Sequence, residues 1–200
     1  MTNFSRENLI LDLIYDQNIP VIFDKKDTFI YLPIDKNCQT SIARSVLAGR
    51  SVVKKDNISY WQSYKDKRAT DRIVFAIIRE PMDRLVSTYL YFTRHGLVKE
   101  SINDFIEKRI DTNSRKHEKE LFKNFNVWDC HLNPQHVSIF SKGEVVPDLL
   151  IPMNNPKDFH ENMNTLFALI NEKDAKMVWK NKSYMSQKER VNVVESITRV

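Results

Sequence analysis

Two segments of the chain repeat one pattern of apolar and polar positions. Each begins with a short apolar run, continues through a polar loop and then carries apolar residues at helical spacing; they span residues 28–47 and 72–90. From Ile73 to Ile78 every position is apolar, which is typical of a strand buried on both faces of a parallel sheet. Pro81 suits the first turn of a helix, where its missing N–H costs nothing. The pattern therefore predicts two strand–loop–helix units, with the second strand central in the sheet.

Weaker patterns predict the rest of the fold. Residues 9–15 fit either a helix or a strand, and residues 101–110 fit a helix with Ser101 as its N-cap. Further short strands are predicted at 21–23, 137–140 and 148–151, and further helices at 41–48, 159–171 and 186–200. This alternation predicts an α/β fold with P-loop-like topology, a three-layer sandwich in which helices flank a mainly parallel sheet of about four or five strands.

Composition limits the class of protein. The chain has 200 residues, of which 42% are hydrophobic and 28% charged, so we expect one globular domain over residues 1–200. A formal charge of +5 favours anionic partners such as nucleic acid, acidic glycans or a nucleotide. Two thiols, Cys38 and Cys130, are typical of a reducing compartment. Because no signal-peptide pattern and no apolar stretch of membrane-spanning length occurs, the sequence predicts a cytoplasmic protein without a membrane span.

The two polar loops carry the candidate chemistry. Each opens a predicted helix and contains a cationic residue, so both helix N-termini could bind one multiply phosphorylated ligand. The first loop lacks the glycine-rich phosphate-binding pattern of ATPases, because Lys36 precedes the turn and Thr40 follows it with no glycine between them. This disfavours an ordinary ATPase and points to another nucleotide-type donor.

Three motifs resemble those of one enzyme family. Lys36-Asn37-Cys38-Gln39-Thr40-Ser41 resembles the Lys-x-Gly-x-Thr-Ser loop of sulfotransferases that use 3′-phosphoadenosine 5′-phosphosulfate (PAPS). The segment from Arg79 to Tyr89 resembles the family's 3′-phosphate signature, Arg-[Asp/Glu]-Pro-x-x-Arg-x-x-Ser-x-Tyr, at every defining position. His131-Leu132-Asn133-Pro134-Gln135 is similar to the His-x-x-Pro-Gln segment of the carbohydrate branch, often called the sulfotransferase 2 family. The resemblance covers residues 29–183.

This resemblance implies a function and a set of site residues. It implies transfer of the sulfuryl group from PAPS to a hydroxyl acceptor. The third motif implies that this acceptor is a carbohydrate. Neither a metal nor a nucleic-acid partner is expected. Lys36 would stabilise the departing 5′-phosphate oxygen, and His131 would be the general base, with Glu80, His95, His117 and His136 as alternatives. A purely structural role for His131 also remains open. The donor-binding residues implied are Lys36, Asn37, Cys38, Gln39, Thr40 and Ser41 in the first loop, Arg79 and Ser87 for the 3′-phosphate, and Asn181 and Ser183 late in the chain.

The chain departs from the family's pattern at two places. The loop glycines usual in the first motif are replaced, one by Asn37 or Cys38 and the other by Gln39, and Asn37 is the residue we expect to take the positive φ that the turn needs. Relatives usually carry a Tyr-x-x-Asp-type segment beyond the last residues, so a shortened C-terminus is expected. Two other functions remain open: a nucleotide-kinase-like phosphotransferase, and a non-catalytic basic module that binds glycan or nucleic acid.

Overall fold

The computed structural model describes residues 5–15, 21–23, 28–34, 36–38, 42, 72–110, 131–132, 134–153 and 155–170. The chain divides into two compact units. Unit 1 comprises Met1–Arg79 and Pro134–Lys180, and unit 2 comprises Glu80–Asn133 and Asn181–Val200.

A four-stranded sheet organises the described part of unit 1. Its strands are β1 (Ile22–Phe23), β2 (Phe29–Leu32), β3 (Ile73–Ile78) and β6 (Leu149–Pro152), in the order β1-β2-β3-β6. β3 pairs in parallel with both β2 and β6, whereas β1 pairs antiparallel with β2. The predicted central position of β3 is confirmed.

Helices pack on both faces of this sheet. Alternate side chains of β2 and β3 point to opposite faces. Ile30, Leu32, Val74 and Ala76 form one core with helix α1 (Arg6–Tyr15), so the open choice at residues 9–15 resolves to a helix. Phe29, Tyr31, Phe75 and Ile77 form the other core with helix α4 (Pro156–Leu169), and this helix begins three residues earlier than predicted because Asn155 caps it.

A small hairpin and a 3₁₀ helix connect to the sheet. The hairpin pairs β4 (Phe140–Ser141) with β5 (Glu144–Val145), and Gly143 in its turn has φ of 83°. The predicted strand at 137–140 is largely wrong, because Gln135–Ser138 forms the 3₁₀ helix and only Phe140 of that range is in a strand. The apolar run is short, and periodicity alone does not distinguish a buried strand from a helical turn of this length.

In the described part of unit 2, two helices contribute to a small, largely aromatic core. Helix α2 (Pro81–Arg94) begins with Pro81, and the Glu80 side chain accepts a hydrogen bond from the Asp83 main-chain N–H at 2.7 Å. Helix α3 (Ile102–Ile110) is capped by the Ser101 hydroxyl, which accepts from the Asp104 N–H at 3.2 Å, as predicted. Among the described residues of this unit, Phe92, Val98 and Phe105 form the buried core.

The described residues therefore form an α/β protein with a parallel three-strand core and flanking helices. The predicted helices at 41–48, except for Ile42, and at 186–200 lie outside the described residues. Within the described chain, no helix has both the length and the apolar character needed to cross a membrane.

Candidate functional site

The carboxyl ends of three parallel strands define one edge of the sheet in unit 1. β2 is followed by the loop that contains Lys36, β3 by Arg79 and β6 by Met153. The Met153 main-chain N–H donates to the Ile78 carbonyl at 2.8 Å and so joins the ends of β3 and β6. Ligands of open α/β sheets bind at this kind of edge.

The loop after β2 has an unusual backbone. Lys36 has φ of 68° and Cys38 has φ of 60°, both in the left-handed region that non-glycine residues rarely adopt. The expectation that Asn37 takes the positive φ is therefore wrong. Cys38 takes it instead, at one of the positions where the resembling motif has glycine.

Asn37 has a different role, which its side chain shows. It is fully buried, and its Nδ2 donates to the Ile77 carbonyl at 2.7 Å and to Gln135 Oε1 at 2.6 Å. A buried amide with two such bonds fixes the loop against β3. The sequence predicted a backbone role for Asn37, whereas Asn37 stabilises the loop through its side-chain amide.

Gln135 holds the main chain of Arg79 on both sides of its Cα. Gln135 Oε1 accepts from the Arg79 N–H at 2.9 Å, and Gln135 Nε2 donates to the Arg79 carbonyl at 2.6 Å. These partners fix the orientation of the Gln135 amide, since only an oxygen can accept from an N–H. The Asn37 atom that faces the same oxygen must then be the amide nitrogen, so the network is chemically consistent.

The side chain of Arg79 reaches the first loop. Its Nη1 donates to the Lys36 carbonyl at 3.3 Å. Residues that are far apart in sequence, Lys36 and Asn37 in the first motif, Arg79 in the second and Gln135 in the third, thus meet at one edge of unit 1. This concentrates a lysine and an arginine at the ends of parallel strands, where an anion would be favoured.

Cys38 faces the apolar side of this loop. It carries a free thiol, its Sγ lies 3.3 Å from Met153 Sδ, and it packs against the core that α4 covers. Burial raises the pKa of the Cys38 thiol to about 11, although the Arg79 charge partly opposes this rise. The thiol therefore stays protonated near neutral pH and is a packing group rather than a nucleophile.

The backbone of Cys38 leads to a stability prediction. Cys38→Ala and Cys38→Gly both remove the sulfur, but only glycine adopts φ of 60° without a steric penalty. We expect Cys38→Gly to be about 1 kcal/mol more stable than Cys38→Ala, the reverse of the usual order. Urea unfolding of both variants, monitored by circular dichroism, measures this difference. A Cys38→Ala variant of equal or greater stability would show that the left-handed conformation is absent in solution.

Two further predicted site residues lie in unit 2. Ser87 is a partly buried residue of α2. The His131 ring stacks on Tyr91 with centroids 5.2 Å apart and also contacts Phe92 at 5.4 Å. The Thr88 hydroxyl donates to the His131 carbonyl at 3.4 Å. These aromatic contacts orient the His131 ring, and the predicted role of His131 as a base stays a prediction.

The other predicted site residues lie outside the described part of the chain: Gln39, Thr40, Ser41, Asn181 and Ser183. Among the residues that the structure does describe, no three His, Cys, Asp or Glu side chains cluster as a metal site would require. The sequence did not predict the contacts of Gln135. The signal that could have indicated a role for Gln135 was its place in the third motif.

Comparison with known proteins identifies the family. A model of the sulfotransferase family matches residues 19–189, which include all three motifs. Searches of curated proteins and of solved structures each gave no match. The family match covers well over half of the chain.

Proposed function

The chain belongs to the sulfotransferase family, and we propose that it transfers the sulfuryl group of PAPS to a hydroxyl of a carbohydrate. The observation that carries this proposal is the meeting of Lys36 and Arg79 at the carboxyl edge of the parallel sheet. We further propose that the whole domain has P-loop-like topology. The parallel order of β2, β3 and β6 supports this topology.

The two cations suit opposite ends of a bisphosphorylated adenosine. Arg79 would bind the 3′-phosphate, because a guanidinium donates two parallel hydrogen bonds to phosphate oxygens, and Ser87 would add a hydroxyl donor. Lys36 would bind the 5′-side group together with Asn37, Cys38, Gln39, Thr40 and Ser41 of the loop, and Asn181 and Ser183 would complete the donor site. The hydrogen bond from Arg79 to the Lys36 carbonyl supports a single donor site, since it holds both cationic residues at one edge of the sheet.

The same residues supply the chemistry of transfer. When the sulfur–oxygen bond to the 5′-phosphate breaks, negative charge grows on the departing oxygen, and the Lys36 ammonium would stabilise it without a metal. The acceptor hydroxyl must lose a proton as it bonds to sulfur, and His131 would take that proton. Stacking on Tyr91 supports this role because it limits the rotation of the imidazole ring. The likeness of the third motif to the carbohydrate branch supports a sugar acceptor.

Isothermal titration calorimetry tests the donor assignment. We expect the protein to bind adenosine 3′,5′-bisphosphate at least about tenfold more tightly than adenosine 5′-phosphate or ATP, because charge-assisted hydrogen bonds to the 3′-phosphate contribute about 1.5–3 kcal/mol. Arg79→Ala should remove most of this preference. Arg94→Ala is the matched control, because it removes the same charge from an exposed position in the last turn of α2.

Other outcomes would assign other functions. Equal affinity for ATP and the bisphosphate would contradict the sulfotransferase proposal and favour a phosphotransferase. Tight, strongly salt-dependent binding of oligonucleotides without nucleotide selectivity would favour a basic binding module. Incubation with ³⁵S-labelled PAPS and a panel of glycans then tests the acceptor class, and label transfer only to non-sugar hydroxyls would overturn the carbohydrate assignment.

A further inference from the structure

The hydrogen bonds beyond the end of β3 show how Arg79 is held. Main-chain groups of successive strand residues point to opposite neighbours. The Ile78 carbonyl accepts from Met153 and so faces β6, which means that Ile77 and Arg79 face the side of β2. However, β2 has already ended at Leu32. The Ile77 carbonyl and the main chain of Arg79 therefore need partners that no strand residue of β2 supplies.

Side-chain amides supply these partners. The Asn37 amide donates to the Ile77 carbonyl, and the Gln135 amide both accepts from and donates to Arg79, as a neighbouring strand residue would. The two amides are joined by the 2.6 Å bond from Asn37 Nδ2 to Gln135 Oε1. Together the two amides extend the hydrogen-bonded pairing of β3 by one residue, to Arg79. The guanidinium of Arg79 is the group proposed to bind the 3′-phosphate.

We propose that Gln135 is a positioning residue that sets the direction of the Arg79 side chain, and with it the preference of the site for a 3′-phosphate. The inference rests on the proposed function of Arg79. Gln135 acts through the main chain: with both peptide groups around the Arg79 Cα fixed, the side chain leaves the strand in one direction. Through Asn37, the same amide also ties this direction to the loop that carries Lys36.

The test compares two nucleotides that differ only in the 3′-phosphate. Gln135→Met keeps the length of the side chain but removes both bonds to Arg79. We expect it to lower the affinity for adenosine 3′,5′-bisphosphate about tenfold while the affinity for adenosine 5′-phosphate changes less than about twofold, because only the 3′-phosphate contact depends on Arg79. If Gln135 had a purely structural role, Gln135→Met would lower the affinity for both nucleotides equally, and that result would overturn the proposal.

A double-mutant cycle separates positioning from direct contact. In an Arg79→Ala background, Gln135→Met should leave the ratio of the two affinities unchanged, because the residue through which it acts is already gone. A further loss of selectivity in that background would mean that Gln135 touches the ligand, and it would overturn the positioning role. Ser138→Ala, in the same 3₁₀ helix, is the control for local disturbance, and it should leave the ratio at its wild-type value.

A second variant keeps the test independent of folding. Gln135→Asn retains the amide on a side chain one methylene shorter, which cannot span both bonds to Arg79; it should lower the selectivity in the same direction as Gln135→Met. Wild-type selectivity in Gln135→Asn would overturn the proposal even if Gln135→Met does not fold. Absence of 3′-phosphate selectivity in the wild-type protein would instead contradict the proposed function itself, so the two failures are distinguishable.

Discussion

Replacing Lys36 with alanine is expected to lower kcat for sulfuryl transfer about 10²–10³-fold, or about 3–4 kcal/mol of transition-state stabilisation. The loss should fall on kcat because negative charge grows on the departing oxygen only as the sulfur–oxygen bond breaks. The KM for PAPS should rise less. Steady-state assays with saturating acceptor measure both constants.

The backbone of Lys36 requires a matched control. Because Lys36 has φ of 68°, a substitution at this position tests the backbone conformation as well as the ammonium. Lys36→Gly also removes the ammonium but favours this conformation, and both variants keep the carbonyl that accepts from Arg79. Equal losses of kcat in Lys36→Ala and Lys36→Gly, with partial recovery in Lys36→Arg, are expected. Near-wild-type kcat in either alanine or glycine variant would contradict the role of the ammonium.

The sequence predicted the centre of the fold well, and the reason is physical. The continuous apolar run of β3 allows few alternatives to a buried parallel strand, and Pro81 marks the start of α2. Ser101 and its N-cap bond to Asp104 are encoded within four residues. In each case the information is local, so a pattern read along the chain suffices.

The contacts that organise the candidate site were not readable in this way. Asn37 and Gln135 are 98 residues apart, and no periodicity encodes a bond between two amides. Motif resemblance placed both residues near a donor site, but it could not show that one supports the loop and the other the end of β3. The left-handed backbone at Cys38 was equally hidden, because local preference favoured Asn37 and the tertiary contacts of Asn37 prevailed.

Replacing Phe75 with alanine is expected to lower the free energy of unfolding by about 3–5 kcal/mol, because it leaves a large cavity at the centre of the sheet. Phe75 is fully buried in β3, stacks on Tyr31 with ring centroids 4.9 Å apart and contacts Phe29 at 5.6 Å. For a chain of this size the loss corresponds to a Tm lower by about 6–20 °C. Urea and thermal unfolding measure both quantities.

The consequence for function separates this change from changes at the site. β3 ends directly before Arg79, so unfolding of the sheet removes ligand binding, but folded molecules of Phe75→Ala should retain the preference for a 3′-phosphate once affinities are corrected for the folded fraction. Phe140→Ala is the matched control, because Phe140 lies on the hairpin and is 38% exposed. This substitution should lower the free energy of unfolding by at most about 1 kcal/mol. Equal losses of stability in the two variants would contradict the central position of β3. Loss of selectivity in folded Phe75→Ala would show that the direction of Arg79 depends on the core as well as on Gln135.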